Sequence, residues 1–282
     1  MPRQSHANTI GGHGCILLHH LGCGLLVVVF VHFYSLYQLV NQKLGGSFLA
    51  TSPFVLPVLL LAALFFRRYR AAENLSSIHR LPIILGLCCC LGALAVPDPE
   101  IAVKRIHVME YLLLSLYVRY TLSFRIDGTP LLVFSCMLSC LYGVHDELLQ
   151  GIHPARTYGL RDMLVNGVAA VGGGLVWHGL NVFCRRADER ETGFAGWPWS
   201  HILYLLGLAA AVPAMAVPLI VHRHDALPSW SFLPLAAAMV TWVCYFAGDR
   251  STLRHGVVPV SVVAFLFLLY PLAVNGLQIA FY

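Results

Sequence analysis

The segment DELLQGIHPARTYGLRDMLVN, residues 146–166, joins two long apolar runs and decides how the chain folds. The runs before and after it, 130–149 and 160–183, are each long enough to cross a bilayer, which takes roughly 20 apolar residues. Gly151 and Pro154 favour a tight turn that ends the first helix. The segment therefore predicts two successive membrane helices with a charged turn at one membrane surface.

The composition of the whole chain agrees with this interpretation. Hydrophobic types make up 58% of the 282 residues and charged types 11%, and the mean hydropathy is +0.73. An ordinary soluble domain carries about 25% charged residues. The chain therefore lacks the polar residues to cover a soluble surface, and we expect an all-α, polytopic bundle of transmembrane helices. Its net charge of +5 lies in short loops, where membrane topology explains it better than nucleic-acid binding.

Nine apolar stretches are long enough to be candidate membrane spans. They are 15–39, 48–66, 80–96, 105–124, 130–149, 160–183, 200–221, 230–247 and 256–280. The loops between them are too short to hold a soluble domain. The multi-pass pattern predicts residence in a membrane, with no nucleic-acid partner and no cofactor.

Basic residues predict the orientation of these spans. The clusters RRYR (67–70) and Arg185-Arg186 lie on the same side, which is also the richer in arginine and lysine. By the positive-inside rule this side is cytoplasmic, so the N-terminus lies inside and the C-terminus outside. In either orientation, the start of the fourth span, the end of the fifth and the start of the sixth lie at the same membrane surface. KRIHVMEY (104–111) therefore meets the charged turn at one surface, which the orientation places outside the cytoplasm.

The polar residues near this surface follow helical spacing. Lys104, His107 and Tyr111 share one face at i, i+3 and i+7, Glu147 and Gln150 are at i, i+3, and Asp162 and Asn166 are at i, i+4. A charged side chain at the centre of a membrane helix costs about 2.5–3.5 kcal/mol, so such residues usually pair or line a polar cavity.

Pairing of these charges can be predicted, but several interpretations stay open. We expect Glu147 to pair with Arg156, and Asp162 with Lys104 or Arg161; Arg156 is alternatively available to grip a phosphate or carboxylate. A helix cap at Asp162 and surface ion pairs would account for much of the pattern without any function.

Several other residues carry groups that can bind metals or place charge inside the membrane. His107, His145, Asp146, Glu147 and His153 supply metal-ligand atoms, but no sharp ligand spacing is present, and we expect no metal site. Most of the nine cysteines lie inside apolar runs, which is typical of packing residues. Glu110 and Arg119 on the fourth span are either functional charges, or charges that snorkel to the membrane surface or pair with each other.

The ordered polar set resembles a known family. Lys104, His107 and Tyr111 (K-x-x-H-x-x-x-Y), then Glu147 and Gln150, Pro154 and Arg156, and Asp162 and Asn166 look like the VanZ-like membrane proteins of bacteria. The chain departs from the pattern at three points. Val103 stands where the family often has Asp, and Ala155 where its turn often has Gly. The glycine that usually follows the Asn has only loose counterparts, Gly167 and the run Gly172-Gly173-Gly174. The resemblance covers 80–183, a four-helix core; two helices in 1–79 precede it and three in 184–282 follow it.

The resemblance implies a location in the bacterial inner membrane and a role in the cell envelope, since the founding member is associated with low-level teicoplanin resistance. Our leading hypothesis is recognition of an anionic lipid head group or cell-wall precursor. The candidate ligand-binding residues are Lys104, His107, Tyr111, Glu147, Gln150, Arg156, Asp162 and Asn166. Alternatives are an enzyme acting on a lipid-linked substrate with His107 or Glu147 as general base, a transporter or scramblase, and an accessory subunit with an unknown protein partner.

Overall fold

A computed structural model of the chain describes residues 7–44, 78–97, 102–184, 196–246 and 248–282, with scattered positions between 51 and 66. Every regular element in these ranges is helical. The predicted second span, 48–66, lies mostly outside the described residues. The basic clusters at 67–70 and 185–186 lie wholly outside them.

The helices follow the apolar runs of the sequence. They are α1 (Ala7–Leu44), α2 (Arg80–Ala95), α3 (Ile106–Leu122), α4 (Gly128–Gly151), α5 (Leu160–Gly179), α6 (Trp199–Ala216), α7 (Leu233–Phe246), α8 (Arg254–Phe267) and α9 (Leu269–Gly276). Short 3₁₀ helices cover Ala102–Arg105, Pro218–His222 and Ser229–Phe232. Helix α4 begins after Asp127, whose carboxylate accepts a 2.7 Å hydrogen bond from the Gly128 N–H.

Five helical segments among the described residues are long and apolar enough to cross a membrane. They are Gly14–Phe33, Gly128–Gly151, Trp199–His222, Ser229–Phe246 and Arg254–Gly276. They fall on the first, fifth, seventh, eighth and ninth predicted spans. Helices α2, α3 and α5 coincide with the third, fourth and sixth spans but are not among these five, because α2 and α3 have only 16 and 17 residues and α5 carries polar residues along its length. The all-helical, membrane-compatible class is confirmed.

Helix α5 packs against α2, α3 and α4 at the centre of the core. A Cβ on Gly86 of α2 would lie 2.5 Å from the Gly172 carbonyl oxygen of α5. Only glycine permits backbones this close, which is a common way for membrane helices to pack. Gly86 and Gly172 therefore allow α2 and α5 to approach each other closely.

Helix α1 packs on α3 and α4, and α8 packs on α4. The segment after α9 returns to the charged turn. The Tyr282 N–H donates to the Gly151 carbonyl over 2.7 Å, and the Tyr158 N–H donates to the Tyr282 carbonyl over 3.0 Å. Phe281 is fully buried with its ring 5.2 Å from that of Tyr158. The turn is therefore held by residues far away in the sequence.

Candidate functional site

The candidate site lies where α3 begins, α4 ends and α5 begins. Lys104 Nζ lies 2.7 Å from Asp162 Oδ2, with 34% and 10% of the two side chains exposed. Lys104 is one of the two partners expected for Asp162. Arg161, the other expected partner, donates from Nε to the Val96 carbonyl over 2.6 Å. The ion pair links the 3₁₀ helix that precedes α3 to the start of α5, at the mouth of the site.

A buried layer below this pair is built around Asp146. The Tyr111 hydroxyl lies 3.1 Å from Asp146 Oδ2 and 3.2 Å from the Tyr142 carbonyl oxygen, which share its one hydrogen. Asn166 Nδ2 lies 3.5 Å from the same Asp146 oxygen. Tyr111, Asp146 and Asn166 are each fully buried. One residue from each of α3, α4 and α5 thus meets in this layer, which joins the three helices by hydrogen bonds.

Glu147 closes the charged turn. Its Oε2 accepts from the Gly159 N–H over 3.0 Å, and its Oε1 accepts from Gln150 Nε2 over 3.2 Å. Gln150 Oε1 in turn accepts from Nε and Nη2 of Arg156, over 3.1 and 2.7 Å. Glu147 and Arg156, which we expected to pair, are therefore linked through the Gln150 amide. Both ends of the turn are connected by this chain of hydrogen bonds.

His107 and Glu110 form a second pair, at i and i+3 on α3. Nδ1 of His107 lies 3.0 Å from Oε2 of Glu110, and both side chains are almost fully buried. The separation is that of an ion pair, but the contact lacks the alignment of a hydrogen bond, and neither Glu110 oxygen meets a hydrogen-bond donor among the described residues. Glu110 is thus a buried carboxylate with unused acceptor capacity, which is costly unless a partner is supplied.

A cavity of about 310 Å³ lies beside the Lys104–Asp162 and His107–Glu110 pairs. Its wall has apolar and polar parts: Phe30, Phe33, Ile106, Ala155, Thr157, Lys104, His107, Glu110, Gln150, Arg156 and Asp162. Five of the eight predicted ligand-binding residues belong to this wall. The other three, Tyr111, Glu147 and Asn166, are buried in the packed layers described above.

Six wall residues were absent from the predicted set of ligand-binding residues, among them Phe30, Phe33 and Glu110. Phe30 and Phe33 come from α1, which the sequence analysis placed outside the four-helix core, so no local signal pointed to them. Glu110 lies next to the predicted polar stripe of α3 and was predicted only as an intramembrane charge. Its contact with His107 was visible as an i, i+3 spacing and could have been used.

The turn itself is anchored through Tyr158. Its hydroxyl donates to the Ala216 carbonyl over 2.6 Å, and its own carbonyl accepts from Arg223. Burial raises the pKa of the Tyr158 hydroxyl well above its usual value, the nearby Glu147 charge adds to this, and Arg223 opposes it. The hydroxyl therefore stays a protonated donor that ties the turn to the end of α6.

Two other predicted features lie elsewhere. His145 Nδ1 lies 3.2 Å from the Tyr270 hydroxyl, and its ring stacks on Phe267. Over the described ranges, no group of three or more His, Cys, Asp or Glu side chains has a geometry that could hold a metal ion. Arg119 is fully buried and donates to the Val182 carbonyl over 2.8 Å and to Cys184 Sγ over 3.1 Å. It thus joins the end of α3 to the segment after α5.

No family model, no curated protein and no solved structure matches this chain.

Proposed function

We propose that this chain is a multi-pass protein of the bacterial inner membrane that binds a phosphate-bearing lipid head group or lipid-linked cell-wall precursor. The observation that carries the proposal is the 310 Å³ cavity, whose wall combines aromatic side chains with Lys104 and Arg156. A lipid has the same two-part character, since its apolar acyl chains adjoin a charged head group.

The cavity wall is arranged for such a ligand. Phe30 and Phe33 supply apolar surface from α1, while Lys104 and Arg156 supply positive charge. A guanidinium is planar and binds phosphate or carboxylate with two parallel hydrogen bonds. Gln150 accepts from two of the Arg156 nitrogens and so holds the guanidinium in one orientation at the wall. A cation that is oriented in advance loses less entropy when a ligand binds.

The topology in this proposal has nine spans, with the N-terminus inside and the C-terminus outside. Support comes from the helices that coincide with eight of the nine apolar runs and from the basic loops of the sequence. This topology opens the cavity toward the outer leaflet. The resemblance of residues 80–183 to the VanZ-like proteins supports an envelope role, and the association of that family with teicoplanin resistance extends to this chain only as part of the proposal.

Native mass spectrometry of the protein purified in mild detergent tests the proposal. Wild type is compared with Arg156→Ala and with Arg250→Ala, which removes an exposed arginine away from the cavity. We expect a discrete bound lipid on wild type and Arg250→Ala, and its loss from Arg156→Ala. Equal retention by all three proteins, or no bound lipid on any, would contradict the proposal.

A second candidate function is an enzyme acting on a lipid-linked substrate. His107 favours it, because the imidazole belongs to the cavity wall and lies beside the Glu110 carboxylate. Glu147 is the weaker base, since both of its oxygens already accept hydrogen bonds inside the turn. Product analysis by mass spectrometry after incubation with envelope lipids tests this function. A product formed by wild type and absent with His107→Gln would support it, and an unchanged lipid pool with wild type would count against it.

A further inference from the structure

The cavity wall carries charges of both signs. Lys104 and Arg156 are cationic, and Asp162 and Glu110 are carboxylates. Among the described residues of the wall, two cations thus lie close to two carboxylates. A ligand that brought only negative charge would place it near these two carboxylates, in a partly desolvated space where charge is poorly screened.

Both carboxylates also have unused capacity to accept hydrogen bonds. Asp162 Oδ2 takes the Lys104 ammonium, but Asp162 Oδ1 meets no donor among the described residues. Neither oxygen of Glu110 meets one, and the Glu110 residue is only 2% exposed. Buried acceptors without donors are rare in native proteins because they cost free energy. The wall is thus short of donors, which a phosphate cannot supply.

We infer that the cavity selects a zwitterionic head group of the phosphoethanolamine type, in which a phosphate and a primary ammonium lie a few bonds apart. This inference rests on the proposed function and names its ligand class. Arg156 holds the phosphate, and the ammonium reaches Glu110 and Asp162. A primary ammonium carries three N–H donors, which matches the unused acceptors. Glu110 and Asp162 line the cavity but their unused oxygens are buried, so binding of the ammonium requires a side-chain rotation that turns these oxygens toward it.

Two related head groups fit less well. A quaternary choline ammonium has no N–H donor, although it could lie against the faces of Phe30 and Phe33. A phosphoglycerol head group has hydroxyl donors, but these are neutral and bind a carboxylate less strongly than an ammonium does. The carboxylates therefore favour the primary ammonium over both.

The test is competitive binding to delipidated protein. Phosphatidylethanolamine, phosphatidylcholine and phosphatidylglycerol with identical acyl chains are added in equal amounts, and the occupancy of each is read by native mass spectrometry. We expect wild type to prefer phosphatidylethanolamine by about fivefold or more, a ratio within reach of one added charge-assisted hydrogen bond. Glu110→Gln keeps the shape but removes the charge, and is expected to reduce this preference toward unity. Asp162→Asn serves as the second variant should Glu110→Gln fail to fold, and Asp225→Asn removes an exposed carboxylate as the control.

The outcomes separate this inference from the proposed function. Equal or greater occupancy by phosphatidylglycerol or phosphatidylcholine, still lost in Arg156→Ala, would overturn the head-group inference and leave the lipid-binding function standing. A preference for phosphatidylethanolamine that Glu110→Gln and Asp162→Asn both leave unchanged would also overturn the head-group inference, because the carboxylates would then not bind the ammonium. No lipid on any variant would overturn both.

Discussion

The ring of Phe281 occupies the space that a side chain on Gly151 would need, so the end of α4 and the last residues of the chain pack directly on each other. Phe281 is fully buried, and its neighbour Tyr282 hydrogen-bonds the Gly151 carbonyl over 2.7 Å. The charged turn that carries Arg156 begins at this contact. Its shape therefore depends on a residue distant in sequence.

Gly151→Ala is expected to destabilise the protein, because the new methyl group collides with the Phe281 ring. Overpacking of this kind costs about 1–3 kcal/mol, which corresponds to a Tm lower by about 2–8 °C. Thermal unfolding in detergent measures the change. Gly167→Ala is the matched control, since a Cβ at Gly167 meets nothing within 4 Å. A Tm as high for Gly151→Ala as for Gly167→Ala would show that the Phe281 contact is not formed.

Tyr111→Phe is expected to lower stability by about 1–3 kcal/mol, because the buried Asp146 carboxylate loses the donor that it shares with the Tyr142 carbonyl. Chemical or thermal unfolding of the purified variant measures the loss. Tyr245→Phe removes the hydroxyl of a tyrosine that is 77% exposed, and should change stability little. The interpretation of Asp146 as the centre of the buried layer fails if the two variants behave alike.

Lys104 and Asp162 are expected to be energetically coupled. In a double-mutant cycle with Lys104→Met and Asp162→Asn, we expect a coupling energy of about 1 kcal/mol, kept modest because Lys104 is one-third exposed. Unfolding free energies of the four proteins provide it, and the coupling should weaken at high salt. Additive effects of the two substitutions would mean that the 2.7 Å contact contributes nothing measurable.

Asp249, between α7 and α8, provides a pH-dependent prediction away from the cavity. Burial acts to raise the pKa of this carboxyl, but hydrogen bonds from the Ser251 N–H, the Ser251 hydroxyl and His201 outweigh it, so the pKa lies below its ordinary value of 3.8. A lowered folded-state pKa stabilises the fold above the unfolded-state pKa, and this contribution is lost as the pH falls through the folded-state value.

The Tm of wild type should therefore exceed that of Asp249→Asn most clearly between about pH 5 and pH 7, and the difference should shrink below about pH 4. Scanning fluorimetry across this range measures it, with Asp225→Asn as the control. A Tm difference that stays constant down to about pH 3 would argue that the Asp249 contacts are not formed.

Much of the site could be predicted from helical spacing alone. The spacing of Lys104, His107 and Tyr111 placed them on one face, and the alternation of spans brought that face to Asp162, where the 2.7 Å ion pair is found. The link between Glu147 and Arg156 was only partly foreseen, because the intervening role of Gln150 depends on how the turn closes. Spacing cannot predict this, since the turn is irregular and is shaped by Tyr158 and the C-terminal residues.

The amino-acid sequence by itself determined the class of the molecule, because a chain with few charged residues and long apolar runs cannot cover a soluble surface. Helical periodicity also set the relative directions of side chains on one helix. Only the tertiary structure decided which polar residues line the cavity and which are packed behind it. That choice depends on how each helix is rotated against its neighbours, for which contacts such as Gly86 with Gly172 are responsible. These contacts join residues that are distant in sequence, so no local pattern reveals that Phe30 and Phe33 of α1 complete the cavity wall.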